Sequence, residues 1–225
     1  MFFSTLISTL FAAGLVAAAP VDQSPRIEVQ NSCGSKLYVG QSPNGQQYGS
    51  FVEVPAGGSH TFDFPMGWAG RIWGRTSCQG KSCTFAGIGA PATLAEFYLN
   101  GKETFYDISL VDGWNLPVKI TPIGSNGNGT VGDSNAYLCG ISTCSSLPSC
   151  PTGFETSDGG CMSACTKYRT DEYCCTGAYN TPECKTNSFA QDVKAACPNA
   201  YSYAYDDTTS AYMCDSVAYS VTFCA

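Results

Sequence analysis

The chain has 225 residues, a formal net charge of −7, 14 Cys and one His. An acidic protein of this kind has no basic surface with which to follow the phosphates of nucleic acid or to bind anionic lipid, so neither is an expected partner. An uncharged partner such as a polysaccharide fits the composition better.

The first residues, 1–19, predict a signal peptide. An apolar run over residues 6–16 is followed by Ala17-Ala18-Ala19, small residues of the kind that a signal peptidase accepts. The alternative is a membrane anchor, but the run is shorter than the roughly 20 residues that span a bilayer. We therefore expect a secreted protein, extracellular or in a cell wall, without stable membrane anchoring.

The cysteines predict disulfides, because free exposed thiols do not persist in the oxidising compartment of an exported chain. The alternative for Cys174-Cys175 and for Cys161 with Cys165 is a zinc site. Adjacent cysteines and a single His in the chain match no ordinary zinc pattern. We expect neither a metal nor an organic cofactor, and spacing alone does not choose among the possible cysteine pairings.

Short alternating runs bounded by Gly, Pro or Ser predict a β-rich domain over residues 20–138. In chain order these runs are residues 27–29, 36–39, 51–54, 60–64, 71–75 and 116–120. Many short strands with few helix signals are typical of a sandwich or a barrel. His60 lies in one of these runs without an identifiable nucleophile, so we interpret it as structural.

Residues 93–115 carry three carboxylates, Glu96, Asp107 and Asp112, in an otherwise apolar and aromatic run. Alternation over residues 105–110 predicts a strand with Asp107 on the unpacked face. Glu96 would lie on the preceding strand, across a hairpin at Asn100-Gly101, and Asp112 in a turn at the strand end. The three carboxylates should therefore lie close together.

Two interpretations of these carboxylates remain open. Glu96 could be a paired surface charge and Asp112 an ordinary turn former. Alternatively, they line a cleft in which like charges raise one another's pKa values and keep one carboxyl protonated as an acid.

The second half of the chain changes composition. Residues 121–135 predict a loop rich in Gly, Asn and Ser, in which Asn128 begins a glycosylation sequon. Residues 139–197 predict a disulfide-rich subdomain with too few apolar residues for a core of its own and with short helices near 161–168 and 189–197. Residues 198–225 return to the β domain and end in a strand over 217–224.

Several segments carry a family resemblance in order and spacing. They are Gly-Arg-Thr-x-Cys at 74–78, Ala-Thr-Leu-Ala-Glu-Phe at 92–97, Tyr-Asp-Ile-Ser-Leu-Val-Asp-Gly at 106–113, Glu-Tyr-Cys-Cys at 172–175, Cys-Pro-x-Ala-Tyr-Ser-Tyr at 197–203 and Val-Thr-Phe-Cys at 221–224. Over residues 27–224 the chain resembles the thaumatin-like proteins. The resemblance implies a mainly β fold, a flattened β-sandwich beside a disulfide-rich subdomain that contains short helices.

The resemblance also implies a disulfide pairing. The implied pairs are Cys33–Cys224, Cys139–Cys214, Cys144–Cys197, Cys150–Cys161, Cys165–Cys174 and Cys175–Cys184, which leaves Cys78 with Cys83. Larger members have more cysteines and a Thr-Gly-Asp-Cys segment after the first motif. This chain goes from Cys78 to Cys83 in five residues and then to Phe85-Ala86-Gly87, so one loop beside the expected cleft is shortened.

The family's acidic cleft has one Arg and four carboxylates, and each has a counterpart here. The matching residues are Arg71, Glu96, Asp107, Asp112 and either Asp206 or Asp207. Glu96 and Asp112 are the expected catalytic pair, since glycoside hydrolysis needs one carboxylic acid and one carboxylate.

The remaining side chains of the cleft are expected to bind substrate. Asp107 would orient a sugar hydroxyl, and Arg71 would compensate negative charge. Phe105 and Tyr205 could stack on pyranose rings, whereas we favour a core position for Trp114.

Family members include weak endo-β-1,3-glucanases and non-catalytic binders. We therefore expect a secreted β-1,3-glucan hydrolase. The alternatives are an antifungal or defence-type protein that binds cell-wall glucan without turnover, and an inhibitor of a secreted hydrolase. No segment signals oligomerisation, so a monomer is expected.

Overall fold

The computed structural model describes residues 24–101, 103–124 and 137–225. The predicted signal peptide and the sequon at Asn128 lie outside the described residues. The strands within them are β1 (Arg26–Asn31), β2 (Leu37–Pro43), β3 (Ser50–Val54), β4 (Ser59–Asp63), β5 (Trp68–Arg75), β6 (Leu94–Leu99), β7 (Thr104–Ser109), β8 (Gly113–Trp114), β9 (Val118–Ile123), β10 (Ser142–Cys144), β11 (Cys161–Met162), β12 (Ala200–Tyr201), β13 (Tyr212–Cys214) and β14 (Ala218–Phe223).

Two sheets form most of the molecule, as the alternating runs predicted. The first has the order β10-β9-β14-β1-β4, and the second has the order β12-β7-β6-β5-β2-β3, with β13 also pairing with β7. In the first sheet β14 runs parallel to β1, from Arg26 opposite Ala218 to Asn31 opposite Phe223. The predicted return of the C-terminal strand to the β domain is confirmed.

The core lies between the two sheets and is rich in aromatic side chains. The ring of Tyr219 on β14 lies 5.5 Å from Phe97 on β6 and 5.2 Å from Tyr106 on β7. Tyr106 and Ile108 of β7 are buried, whereas Phe105 of the same strand is exposed. The alternation predicted for residues 105–110 is therefore confirmed. Each fully buried apolar side chain stabilises the folded state by about 1.5–3 kcal/mol.

Three short α-helices lie between β11 and β12 along the chain: α1 (Ala164–Tyr168), α2 (Asp171–Cys174) and α3 (Ser188–Ala196). Helix α1 begins after Ser163, whose Oγ accepts a hydrogen bond from the Thr166 amide, and residues 161–162 before this cap form β11 instead of the predicted helix. No helix in the described part of the chain has the length and apolar character needed to cross a bilayer.

The disulfide-rich region has no separate core. It begins with β10, which pairs with β9 as an edge strand of the first sheet. Phe154 and Val193 belong to the same buried cluster as the residues between the sheets. The low apolar content of residues 139–197 is therefore offset both by docking on the β domain and by cross-links.

The structure joins all 14 cysteines into seven disulfides, in the pairs that the family resemblance implies. Their spans differ widely. Cys33–Cys224 joins residues 191 apart, next to the parallel pair of β1 and β14, whereas Cys78–Cys83 joins residues 5 apart.

Replacing both Cys33 and Cys224 with Ala should lower the free energy of unfolding by about 5 kcal/mol, because the bridge restricts a long loop in the unfolded chain. The same change at Cys78 and Cys83 should cost only about 2 kcal/mol. Urea titration followed by tryptophan fluorescence measures both losses. An equal or greater loss for the short bridge would contradict this explanation.

Candidate active site

Three adjacent strands of the second sheet align the first charged side chains. Arg71 on β5 lies opposite Glu96 on β6, and Glu96 lies opposite Asp107 on β7. Residues directly opposite each other on neighbouring strands have Cβ atoms about 4.5–5.5 Å apart. The predicted hairpin therefore brings Glu96 and Asp107 side by side, with a guanidinium next to them.

Asp112 reaches the same place from the turn after β7. The Gly113 amide donates to the Leu110 carbonyl oxygen at 3.0 Å, and the Thr166 hydroxyl of α1 donates to the Asp112 carbonyl oxygen at 2.6 Å. Gly113 has a φ of 131°, and a Cβ at this position would collide with the Cys161 carbonyl group. The glycine allows β8 and β11 to approach, which fixes the backbone that carries the Asp112 carboxylate.

These side chains line an open cleft of about 270 Å³. Its lining consists of Arg71, Leu94, Glu96, Asp107, Ser109, Val111, Asp112, Tyr201 and Ala204. The cleft thus brings together the Arg and three of the carboxylates that the sequence predicts for it.

Burial raises the pKa values of Glu96 and Asp112. For Glu96 the loss of solvation is the largest cause, the Arg71 charge opposes it, and the nearby Asp112 carboxylate adds to it. A hydrogen bond from Ser109 also lowers the Glu96 pKa. For Asp112 burial raises the pKa and Arg71 lowers it. The pKa values of both carboxyls are therefore higher than those of ordinary surface carboxyls.

Asp107 has the more strongly altered environment. Burial raises its pKa well above the usual range, and the charges of Glu96 and Asp207 raise it further. Its Oδ1 atom is buried without a hydrogen-bond partner. A protonated carboxyl is favoured there, and it can donate a hydrogen bond to a group that enters the cleft.

Asp107→Asn should make the protein more stable at pH 7. Because the folded-state pKa of Asp107 is raised, its contribution to stability is lost as the pH rises from the ordinary carboxyl range through the raised pKa. Each unit of such a shift corresponds to about 1.4 kcal/mol, so we expect a gain in Tm of several degrees. Thermal unfolding followed by circular dichroism between acid and neutral pH measures it.

The matched control for this prediction is Asp63→Asn, since Asp63 is exposed on the edge strand β4. The gain of Asp107→Asn should disappear in acid, where both the folded and the unfolded wild-type chains carry a protonated Asp107. A gain that is independent of pH, or a loss of stability at pH 7, would contradict the raised pKa.

Asp207 lies next to the cleft without being one of its lining residues. The hydroxyl of the lining residue Tyr201 donates to Asp207 Oδ1 at 2.7 Å. The charge of Asp207 also acts on Asp107, whose pKa it raises. The sequence left Asp206 and Asp207 as alternatives for the fourth carboxylate, and Asp207 is the one that contacts a lining residue.

Asp206 has a structural environment instead. Its Oδ2 atom accepts hydrogen bonds from the Ser202 amide at 3.1 Å and the Ser202 hydroxyl at 2.8 Å. The same atom forms an ion pair with Lys194 Nζ of α3 at 3.0 Å, and Lys194 also donates to Ser210 at 2.8 Å. These contacts hold the loop of Tyr201 and Asp207 against α3, while substrate binding by Asp206 stays a prediction.

Two polar residues of the cleft were not identified from the sequence. Tyr201 lies on β12 beside β7 and contacts Asp207, and Ser109 is a buried partner of Glu96. Tyr201 lies within the family-like segment 197–203, which was the available signal. Ser109 shares the strand face of Asp107, so the alternation of β7 already placed it beside the carboxylates.

The predicted aromatic residues differ in position. Phe105 is 45% exposed, on the face of Asp107 and opposite Tyr98 of β6. The Tyr205 hydroxyl donates to Asn180 Oδ1 at 2.7 Å, and Tyr205 does not line the cleft. Trp114 is buried and donates to the Pro148 carbonyl oxygen at 3.1 Å, so its predicted core position is confirmed.

Among the described residues, one group of three potential metal ligands occurs, Cys139, Cys214 and Asp215, away from the cleft. The two sulfur atoms are joined in a disulfide and are therefore not thiolate ligands.

Curated proteins similar to this chain cover most of its length. The chain is similar to pathogenesis-related protein 5 of Arabidopsis thaliana, with 37% identity over 87% of this chain and 88% of that protein. It is also similar to a Prunus avium protein named glucan endo-1,3-beta-glucosidase, with 36% identity over 88% of this chain and 89% of that protein.

A solved structure shares the fold at low sequence identity. It is a laminaripentaose-producing β-1,3-glucanase from Paenibacillus barengoltzii complexed with laminarihexaose, with a TM-score of 0.59, 14% identity and coverage of 91% of this chain and 76% of that chain. The family model described as the thaumatin family matches residues 31–225, which includes every strand from β2 to β14. The β-sandwich, the disulfides and these matches together show that the chain belongs to the thaumatin family.

Proposed function

We propose that this protein binds β-1,3-glucan in the acidic cleft and hydrolyses it by acid and base chemistry between Glu96 and Asp112. The observation that carries the proposal is the cluster of carboxyls with raised pKa values beside one Arg in an open cleft. Glycoside hydrolysis needs two carboxyl groups that differ in protonation.

Glu96 is the general acid in this proposal. Burial and the nearby Asp112 carboxylate favour its protonated form. Its proton passes to the glycosidic oxygen as the bond from that oxygen to C1 of the sugar breaks, and the leaving chain departs as an alcohol. General acid catalysis of this kind contributes about 10²–10⁴-fold to a rate.

Asp112 is the partner carboxylate. The Arg71 charge opposes the rise of its pKa, which favours the ionised form that a base or a nucleophile requires. As a base, Asp112 takes a proton from the water that attacks C1; as a nucleophile, it attacks C1 itself and is released by water. Arg71 also limits the repulsion between the carboxylates of the cleft.

Asp107 and the aromatic face position the substrate. Asp107 lines the cleft, where its carboxyl group can form a hydrogen bond with a sugar hydroxyl. Tyr201 adds a polar group to the lining beside β7, and Asp207 accepts a hydrogen bond from its hydroxyl. Phe105, exposed beside Asp107, offers an aromatic face to a neighbouring pyranose ring. Tyr205 does not line the cleft, so the structure offers less support for its predicted stacking on a sugar ring.

The relative from Prunus avium named glucan endo-1,3-beta-glucosidase supports the substrate class. Seven disulfides favour an oxidising compartment, so we propose that the protein is secreted and meets cell-wall polysaccharide as a monomer.

The second candidate function is binding of β-1,3-glucan without turnover. The observation in its favour is that the pKa values of all three central carboxyls are raised. A cleft with only neutral carboxyls would hold sugar hydroxyls well but would lack a base.

The deciding experiment measures reducing-sugar release from laminarin by the purified protein, together with pull-down on insoluble β-1,3-glucan. The hydrolase proposal expects both, with a rate that falls as the pH rises through the raised pKa of Glu96 and the acid loses its proton. Pull-down without release at any pH would favour the binding protein. Absence of both would overturn the proposed substrate.

A further inference from the structure

The loop between β5 and β6 is short in this chain and is firmly held. Arg75 is buried, and its Nε donates to the Ser82 carbonyl oxygen at 2.6 Å while an Nη donates to the Ala90 carbonyl oxygen at 2.6 Å. The Cys78–Cys83 disulfide closes the first part of the loop. The side chains at positions 84–90 are therefore presented on a fixed backbone.

This loop and the loop between β2 and β3 bring together two aromatic rings, of which Tyr48 is exposed and Phe85 is half-buried. Tyr48 and Phe85 have ring centroids 6.1 Å apart in an edge-to-face arrangement, and the Gly49 amide donates to the Thr84 carbonyl oxygen at 2.8 Å between the two loops. The Lys81 ammonium lies 4.3 Å from the Tyr48 ring centroid. Tyr48 is 41% exposed, and neither ring belongs to the buried apolar clusters of the described residues.

The aromatic pair adjoins the acidic cleft at the Asp112 end. Gly87 lies between them with a φ of 149°. The position that a Cβ on Gly87 would occupy is 3.4 Å from the Phe85 ring and 3.6 Å from Asp112 Oδ2. The ring and the carboxylate therefore border the same small space, which the glycine leaves open.

We propose that Tyr48 and Phe85 form a sugar-binding subsite that extends the acidic cleft beyond Asp112. The proposal rests on the function proposed above and specifies where a longer β-1,3-glucan chain would lie. A pyranose ring presents C–H groups on its faces, and these pack on the electron-rich face of an aromatic ring. The rings carry no negative charge, in contrast to the row of carboxyls, so the subsite binds by stacking.

The two ends of the cleft would then each have an aromatic surface. Phe105 lies at the Asp107 end, and the pair of Tyr48 and Phe85 lies at the Asp112 end, with the carboxylates between them. A glucan chain that contacts both aromatic surfaces must be longer than one that covers the carboxylates alone. The affinity for oligosaccharides should therefore rise with their length.

Isothermal titration calorimetry with laminaritriose and laminarihexaose tests the subsite, with every variant made on the Glu96→Gln protein so that the sugars are not hydrolysed. The Glu96→Gln protein itself should bind the hexasaccharide more tightly than the trisaccharide. Adding Phe85→Ala or Tyr48→Ala should weaken hexasaccharide binding roughly tenfold, the scale for truncation of an aromatic anchor, and leave trisaccharide binding nearly unchanged. Adding Tyr48→Phe, which keeps the ring, should leave the affinity unchanged.

The matched control is Phe51→Ala, which removes a ring with the same 41% exposure as Tyr48 from β3, where Phe51 packs against Tyr38. If the hexasaccharide affinities of Phe85→Ala and Tyr48→Ala equal that of Phe51→Ala, the subsite is absent while the proposed function stands. Equal losses for both oligosaccharides would indicate a distorted cleft and would also overturn the subsite. If wild type binds neither oligosaccharide, the proposed function itself fails.

Discussion

Glu96→Gln should lower the rate of laminarin hydrolysis at least about a hundredfold while binding to insoluble β-1,3-glucan stays close to that of wild type. The amide has nearly the same shape as the carboxyl and still forms hydrogen bonds, but it has no proton to transfer to the leaving oxygen. Burial beside Asp112 raises the pKa of the Glu96 carboxyl and so favours its protonated form, and the loss should be greatest at the acidic pH where wild type is most active. Reducing-sugar assays across a pH series and pull-down on insoluble glucan measure the two effects.

The matched control is Glu103→Gln, because Glu103 is an exposed carboxylate next to β7 on the same hairpin. It should leave both the rate and the binding unchanged. Parallel loss of hydrolysis and binding in Glu96→Gln would mean that Glu96 holds the sugar without supplying the proton. Full activity in Glu96→Gln would transfer the role of the acid to another carboxyl.

Arg75→Met should lower the free energy of unfolding by about 3–5 kcal/mol, the usual loss when one partner of a buried ion pair is removed. Arg75 Nη1 forms an ion pair with Asp158 at 2.9 Å, and the two side chains are only 2% and 16% exposed. Carbonyl oxygens of Ser82, Pro91 and Ala90 also accept from this guanidinium. The substitution leaves a carboxylate and several carbonyl groups in the interior without their donor.

Urea unfolding followed by tryptophan fluorescence measures this loss, and Arg26→Met, at an exposed position of β1, is its control. Adding Asp158→Asn to Arg75→Met should recover part of the stability, because the uncompensated charge is then removed. A loss no greater than that of the control would contradict the assigned role of Arg75.

The central part of the cleft could be predicted because two local patterns act together. Alternation on β7 placed Asp107 on the face opposite the buried Tyr106, and the hairpin at Asn100-Gly101 set Glu96 across from it. The register of β5 then added Arg71, which the sequence alone could match only through family resemblance. Where strand periodicity and turn chemistry agree, the positions of side chains follow from sequence.

The roles of the residues that follow β12 could not be predicted in the same way. Asp206 and Asp207 are adjacent in a loop without periodicity, and their roles are decided by Lys194 on α3 and by Tyr201, which are distant contacts. The position of Phe85 depends equally on how the shortened loop is anchored by Arg75. Such contacts are set by tertiary structure and have no local sequence signature.

The parallel pairing of β1 with β14 has a consequence for biosynthesis. Strand β14 lies in the middle of its sheet, between β9 and β1, although it is among the last residues of the chain. During translation the early strand β1 has no such neighbour until β14 has left the ribosome. Contacts of this long range close slowly and leave strand edges exposed in the meantime. The sheet is therefore completed only after β14 has been synthesised, and a nascent chain that pauses before β14 would offer β1 and β9 to other polypeptides.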